Sequence, residues 1–166
     1  EEVEDAARIS YGEGTRKVSQ TRNLIRYLMR HKHTSPFEMC EVKFHIKLPI
    51  FIMRQLVRHR TANLNEYSGR YSIMSNEYYL PEADYLQKQS ATNNQGREEV
   101  HPHTGKLHFE FNRVYDNAHI AYENLLDEEI ARELARAVLP VANYTECIWK
   151  IDLHNFFHVV HLRADN

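Results

Sequence analysis

Apolar residues recur at helical spacing in several stretches of the chain. Residues 2–11 (EVEDAARISY) predict a short helix with Val3, Ala6, Ala7 and Ile9 on its apolar side, broken by Gly12 and Gly14. Ser19 is placed to cap a second helix over 20–32, where Leu24, Ile25, Leu28 and Met29 share a face. The longest stripe runs through 106–126: Leu107, Phe111, Val114, Tyr115, Ala118, Tyr122, Leu125 and Leu126. A further helix is expected over 128–138, stopped by Leu139-Pro140, and a last one over 153–163. A different period appears at 41–48, where Val42, Phe44, Ile46 and Leu48 alternate with Lys43, His45 and Lys47 and predict a strand. Residues 143–151 (NYTECIWKI) suit a buried strand.

Turn chemistry fills the gaps. Ser35-Pro36-Phe37-Glu38 has the form of a capping box with Pro at the first helical position, so a short helical turn is expected there. Pro49 opens an apolar helix reaching about Val57, which delivers Gln55 and Arg58 at its end. Short extended pieces follow around 71–74 and 77–80, and the polar 87–105 reads as a surface loop. Strands and helices alternate, so the class is α/β, in a single domain over 1–166.

Charge changes this picture at one place. The stretch RHRTANLNEYSGRYS, residues 58–72, follows directly on the apolar LPIFIMRQLV. Charge at the end of a buried element is costly unless it faces a ligand or is paired. Arg58, Arg60 and Arg70 with Glu66, Ser68 and the Gly69 backbone suit an anionic ligand, most simply a phosphate. The competing reading is a solvated loop in which Glu66 pairs with an Arg. The chain's net charge of −2 leaves no general basic field for nucleic acid. There are five Gly and no GxGxxG or GxxxxGK[ST], so a nucleotide would be gripped by side chains.

Histidine and cysteine narrow the chemistry further. His154, His158 and His161 fall at i, i+4 and i+7 on one helix face, and His31/His33 and His101/His103 form H-x-H pairs. They read either as metal ligands or as the lining of a cleft; HExxH is absent, and no metal site is assigned. Cys40 and Cys147 are far apart with no CxxC, and no apolar run reaches membrane-spanning length, so a cytoplasmic protein is expected. Arg136 interrupts the apolar ARAVLP, and Arg163 ends the last helix, where a cation also suits the helix dipole. The chain begins without Met and stops in HLRADN, so a piece of a longer protein is expected.

Arg58-His59-Arg60, then the seven residues TANLNEY, then Ser68 resembles the signature of the flavin-dependent thymidylate synthases. AARISY, YLMRHKHTSPFE, KFHIKLPIFIMRQLVRHR, ARAVLP and HNFFHVVHLRAD are similar to blocks of that family, in the same order, across nearly the whole chain. The resemblance implies a twisted, mainly antiparallel sheet flanked by helices (α+β-like), assembled as a homotetramer with active sites shared between subunits. It implies reductive methylation of dUMP to dTMP, with FAD as cofactor, NADPH as reductant and methylenetetrahydrofolate as carbon donor.

Carried across, Ser10, Ser35, Arg58, His59, Arg60, Glu66, Asp152, His154 and His158 resemble FAD-binding positions, with His33 near the flavin. Gln55, Arg58, Glu66, Tyr67, Ser68, Gly69, Arg70, Arg136 and Arg163 resemble the dUMP site. Arg163 resembles the catalytic arginine that activates the uracil, because a guanidinium at the polar edge of the ring stabilises negative charge there. Met39 stands where some relatives have His, and Asp152 and His158 where some have Asn. Three other readings remain at this stage. They are an inactive or non-catalytic nucleotide-binding member of the fold, an RNA-binding module using the same Arg patch, and a His-ligated metal hydrolase.

Overall fold

The computed structural model describes residues 2–11 and 21–164, so Gly12, Gly14 and the expected cap Ser19 lie outside the described residues. In chain order the elements are α1 (Glu2–Arg8), α2 (Thr21–Arg30), α3 (Ser35–Glu38), β1 (Glu41–Pro49), α4 (Ile50–Leu56) and β2 (Ala62–Glu66). Then come β3 (Gln87–Gln89), β4 (Arg97–Val100), α5 (Thr104–Asp127), α6 (Arg132–Ala135), β5 (Tyr144–Asp152) and α7 (Leu153–Arg163). Short 3-10 turns occupy Ile9–Tyr11, Ala83–Tyr85 and Arg136–Val138. Helices mix with antiparallel strands, in agreement with the expected class. No helix among the described residues is long and apolar enough to cross a membrane.

The chain divides into two compact units, with the division falling inside β1, α4 and β5 and again between Glu66 and Tyr67. Unit 1 holds residues 1–46, 55–66 and 147–166. Its sheet has the order β1-β5-β2, and β2 runs antiparallel to β5 with Ala62 opposite Ile151 and Glu66 opposite Cys147. Central β5 buries Cys147, Trp149 and Ile151, the alternation expected of a half-buried strand. Val3, Leu28, Phe37 and Cys40 form a core cluster, joined by Ala7, Leu24, Ile25 and Leu153. Phe44 of β1 stacks near Trp149 and lies 5.4 Å from the Phe156 ring on α7.

Unit 2 holds residues 47–54 and 67–146. Its core joins Met74, Tyr122 and Ala135, with Leu125, Leu126 and Leu139 packed around them. Fully buried Asn143 organises the loop beside this core: its Nδ2 donates to Ser75 O at 2.9 Å and Glu77 O at 2.8 Å.

Several expectations need correction. Ile9 is 81% exposed and Met29 52% exposed, so neither belongs to its helix's apolar side. The turn over Ser35–Glu38 forms with Pro at its start, but its N-cap is Thr34 and no side chain caps it, so the capping box is absent. Residues 62–66, read as part of a charged stretch, form the edge strand β2, whereas 71–74 form a turn region instead of an extended piece. The 87–105 segment is exposed, yet it folds: β3 and β4 pair antiparallel, and α5 begins at Thr104.

The helix expected over 128–138 starts late, at Arg132, for a definite reason. Glu129 sits at φ 58°, with Glu129 N bonded to Leu126 O and Ile130 N to Leu125 O, a Schellman end to α5. Lys32 does the same for α2 at φ 56°, with Lys32 N on Met29 O and His33 N on Leu28 O. Neither position carries the glycine that usually announces such an end.

Candidate functional site

The signature straddles the division of the chain, with residues 58–66 in unit 1 and 67–72 in unit 2. In unit 1 the end of α4 continues as a turn: Arg58 N donates to Gln55 O at 3.2 Å and His59 N to Leu56 O at 3.0 Å. Thr61 then adopts φ 61° and turns the backbone into β2. A β-branched residue in that region is strained by about 1–3 kcal/mol, a feature that gathers at functional sites. Arg58 and Arg60 are exposed, and His59 is half-buried. Glu66, at the end of β2, faces Cys147 across the sheet; burial and then the Glu66 charge push that thiol's pKa up.

His59 meets α7. Arg163, in the last turn of that helix, points Nε at His59 Nε2 at 3.4 Å. Burial, then the Arg163 guanidinium, then His158 hold the His59 imidazole below its ordinary value, so it is neutral near pH 7.

The same helix lines a cleft of about 340 Å³ in unit 1. Leu28, Met29 and Phe37 give it an apolar floor with Phe157; His154, His158 and His161 rim it from α7, and Lys32, His33 and Thr34 from the α2–α3 turn. The i, i+4, i+7 spacing of the three helix histidines thus places them along one cleft. Among the described residues no group of three or more His, Cys, Asp or Glu side chains is placed to hold a metal ion. Asp152 is buried and caps α7: Oδ1 accepts from Asn155 N and Oδ2 from Asn155 Nδ2, both at 2.8 Å. Both of its oxygens are therefore engaged locally. Ser10, Ser35 and Gln55 are exposed in unit 1.

In unit 2 the second half of the signature is a tight turn. Ser68 O accepts from Tyr71 N and Ser72 N, both at 3.1 Å, while Ser68 Oγ accepts from Arg70 N at 3.3 Å. Tyr67 anchors the turn by donating from its hydroxyl to Ile73 O at 2.8 Å. Gly69 is buried, and a Cβ there would stand 2.8 Å from Met74 Sδ and 3.2 Å from Arg136 Cδ, so the close approach of Arg136 depends on glycine. Arg70 Nε lies 3.4 Å from Glu133 Oε1, and Arg136 Nε donates to the Glu133 carbonyl at 3.4 Å. Arg132 Nη1 donates to Tyr71 O at 2.6 Å.

Unit 2 thus gathers Arg70, Arg132 and Arg136 around one turn. Arg132 was missed in the sequence. Its signal is spacing: it lies four residues before Arg136, so helical geometry carries both toward one face. Chemically, unit 2 offers an anion-binding turn of guanidinium and backbone groups. Unit 1 offers a cleft with an apolar floor and a histidine rim, and the Arg163 guanidinium set against the His59 ring.

The whole chain, residues 1–166, matches the family described as "Thymidylate synthase complementing protein". It is 53% identical over 169 residues to the "Flavin-dependent thymidylate synthase" of Wolbachia pipientis wMel, covering 98% of this chain and 58% of that protein. It is 51% identical over 162 residues to the protein of that name from Dictyostelium discoideum, covering 97% of this chain and 54% of that one. Among solved structures it is similar to the UMP/dUMP methylase PolB from Streptomyces cacaoi bound with 5-Br UMP. That match has a TM-score of 0.84 and 36% identity, covering 96% of this chain and 69% of that chain. The chain spans a little over half the length of the curated relatives it matches.

Proposed function

The chain belongs to the thymidylate synthase complementing protein family, and from that premise we propose that it carries the flavin-dependent thymidylate synthase reaction, reductive methylation of dUMP to dTMP. The observation that carries the reading is the intact signature Arg58-His59-Arg60…Ser68 with Arg163 held against His59. The relatives named for this activity, at about half identity across nearly the whole chain, support it.

Unit 2 would bind the nucleotide's phosphate through Arg70 and Arg136, with Ser68 and the Gly69 backbone donating and Tyr67 beside them; in unit 1, Gln55 and Glu66 would be further dUMP contacts. Guanidinium forks suit phosphate because they donate two parallel hydrogen bonds and never lose their charge. The α7 cleft of unit 1 would suit a flat ring such as the isoalloxazine of FAD, because its floor is apolar and imidazoles stand at its rim. Arg58, His59, Arg60, His154 and His158 would hold FAD, with Ser10, Ser35, Glu66 and Asp152 around it. When bound, the reduced flavin supplies the hydride that turns the transferred one-carbon unit into a methyl group.

Arg163 activates the substrate. A fixed positive charge at the uracil's polar edge stabilises negative charge on the ring, and this raises the nucleophilicity of the carbon to be methylated. Ser68 serves in binding, since its Oγ accepts from Arg70 N in the turn and it need not attack. NADPH and methylenetetrahydrofolate are the co-substrates. The working form is a cytoplasmic homotetramer with shared active sites, a reading supported by large apolar side chains left exposed on the single chain, such as Phe109 at 63% and Leu162 at 56%.

The test is dTMP formation by the full-length protein supplied with FAD, NADPH, methylenetetrahydrofolate and dUMP. Product that requires all four sustains the reading. A protein that binds FAD and dUMP yet forms no dTMP is instead an inactive, nucleotide-binding member of the family.

A further inference from the structure

Arg163 ends α7, and its Nε–H is directed at a ring nitrogen of His59. That nitrogen can accept only if it carries no proton. The neighbouring charges agree with a neutral ring: the Arg163 guanidinium and the His158 imidazole, both on α7, oppose any positive charge on His59, and burial opposes it more. His59 is itself fixed at its backbone, where its N–H donates to Leu56 O at 3.0 Å, and strained Thr61 follows two residues later.

We infer that His59 is the positioning residue for Arg163: its neutral ring, with the proton on Nδ1, accepts the Arg163 Nε–H and fixes the plane of the guanidinium, leaving both Nη groups for the pyrimidine. The role goes beyond contact with a flavin, and it rests on the reading of Arg163 as the group that activates the substrate. The physical consequence is an acid-sensitive catalytic arginine. Arginine does not titrate in the working range, but the acceptor that orients it does. A protonated His59 presents N–H to N–H and adds a like charge at 3.4 Å.

The experiment follows kcat for dTMP formation by the full-length, FAD-loaded protein from about pH 5 to 8, the range in which a histidine titrates. The variants are His59→Ala and His59→Gln; a Gln carbonyl can accept the Nε–H but does not titrate. Wild type should lose kcat on acidification, with a midpoint below the ordinary histidine value. His59→Ala should lower kcat at neutral pH about tenfold or more, equivalent to ~1.4 kcal/mol of transition-state stabilisation, and abolish the acid limb. His59→Gln should recover part of that kcat and also lack the limb. If both variants keep the wild-type limb, or if His59→Ala weakens FAD binding with kcat unchanged, the positioning role is wrong.

Nitrogen-15 spectra of the histidine rings test the contact without turnover. They should place the His59 proton on Nδ1 and show its pKa rising in Arg163→Ala. A proton on Nε2, or an unmoved pKa, overturns the inference. A wild-type protein that forms no dTMP sinks the functional reading, and the ring spectra still decide the contact.

Discussion

Arg163 in unit 1 and Arg70 in unit 2 are both exposed guanidinium groups, one set against the signature's His59 and the other within its second half, and their surroundings differ in kind. Arg70 stands by a carboxylate, Glu133, beside Arg132 and Arg136, whose hydrogen bonds go to backbone carbonyls. Arg163 stands by an imidazole, that of His59. The first arrangement sets planar guanidinium groups around one turn, which would suit the phosphate-binding role proposed for Arg70 and Arg136. The second rests on a proton-sensitive acceptor, which would suit the role proposed for Arg163 at the pyrimidine ring. On the proposed reading, binding and activation are built from the same residue type with different neighbours.

The comparison breaks hardest at Arg163. Arg163→Lys replaces a planar fork by a point charge, and it should reduce dTMP formation by about 10²–10³-fold, the scale of losing one preorganised donor. The flavin absorption spectrum should be unchanged. In unit 2, Gly69→Ala places a methyl group against Met74 Sδ and Arg136 Cδ. It should weaken dUMP binding about tenfold, ~1.4 kcal/mol, read as a raised KM with kcat little altered.

Asp152→Ala removes the α7 cap and should cost about 1 kcal/mol, visible as a lowered Tm. Glu133→Gln should be mildest: the Arg70 pair is half-exposed, so the change is worth about 0.2–1 kcal/mol in dUMP affinity and shrinks as salt is added.

Acid separates the units as well. His59 has a folded-state pKa below its ordinary value of 6.5. As pH falls through that ordinary value, the unfolded chain takes up a proton that the folded protein still refuses. Stability from this group is therefore fully present above about pH 6.5 and is lost as pH falls through the folded value. Denaturant titrations over that window should show a slope that His59→Gln flattens.

How much of this was legible follows from where the signals lie. β5 and α7 were readable to within a residue, the strand because a half-buried strand writes its alternation into the sequence. β2 was not, because an edge strand with the sequence ANLNE has no buried face to impose alternation. The ends of α2 and α5 were hidden because Lys32 and Glu129 occupy left-handed positions without glycine. Of the site, the Arg-His-Arg signature and the α7 histidine face were plain. The contact of His59 with Arg163 was not, since the two are separated by 104 residues. Nor was the engagement of Asp152 as a cap visible beforehand, although Asp directly before a helix is a strong capping signal.

The most direct measurement is the visible absorption spectrum of the full-length protein reconstituted with FAD, taken anaerobically before and after NADPH, with and without dUMP. The account predicts a bound yellow flavin that is perturbed by dUMP and bleached by NADPH. A protein that takes up no FAD, or whose flavin responds to neither NADPH nor dUMP, would contradict it.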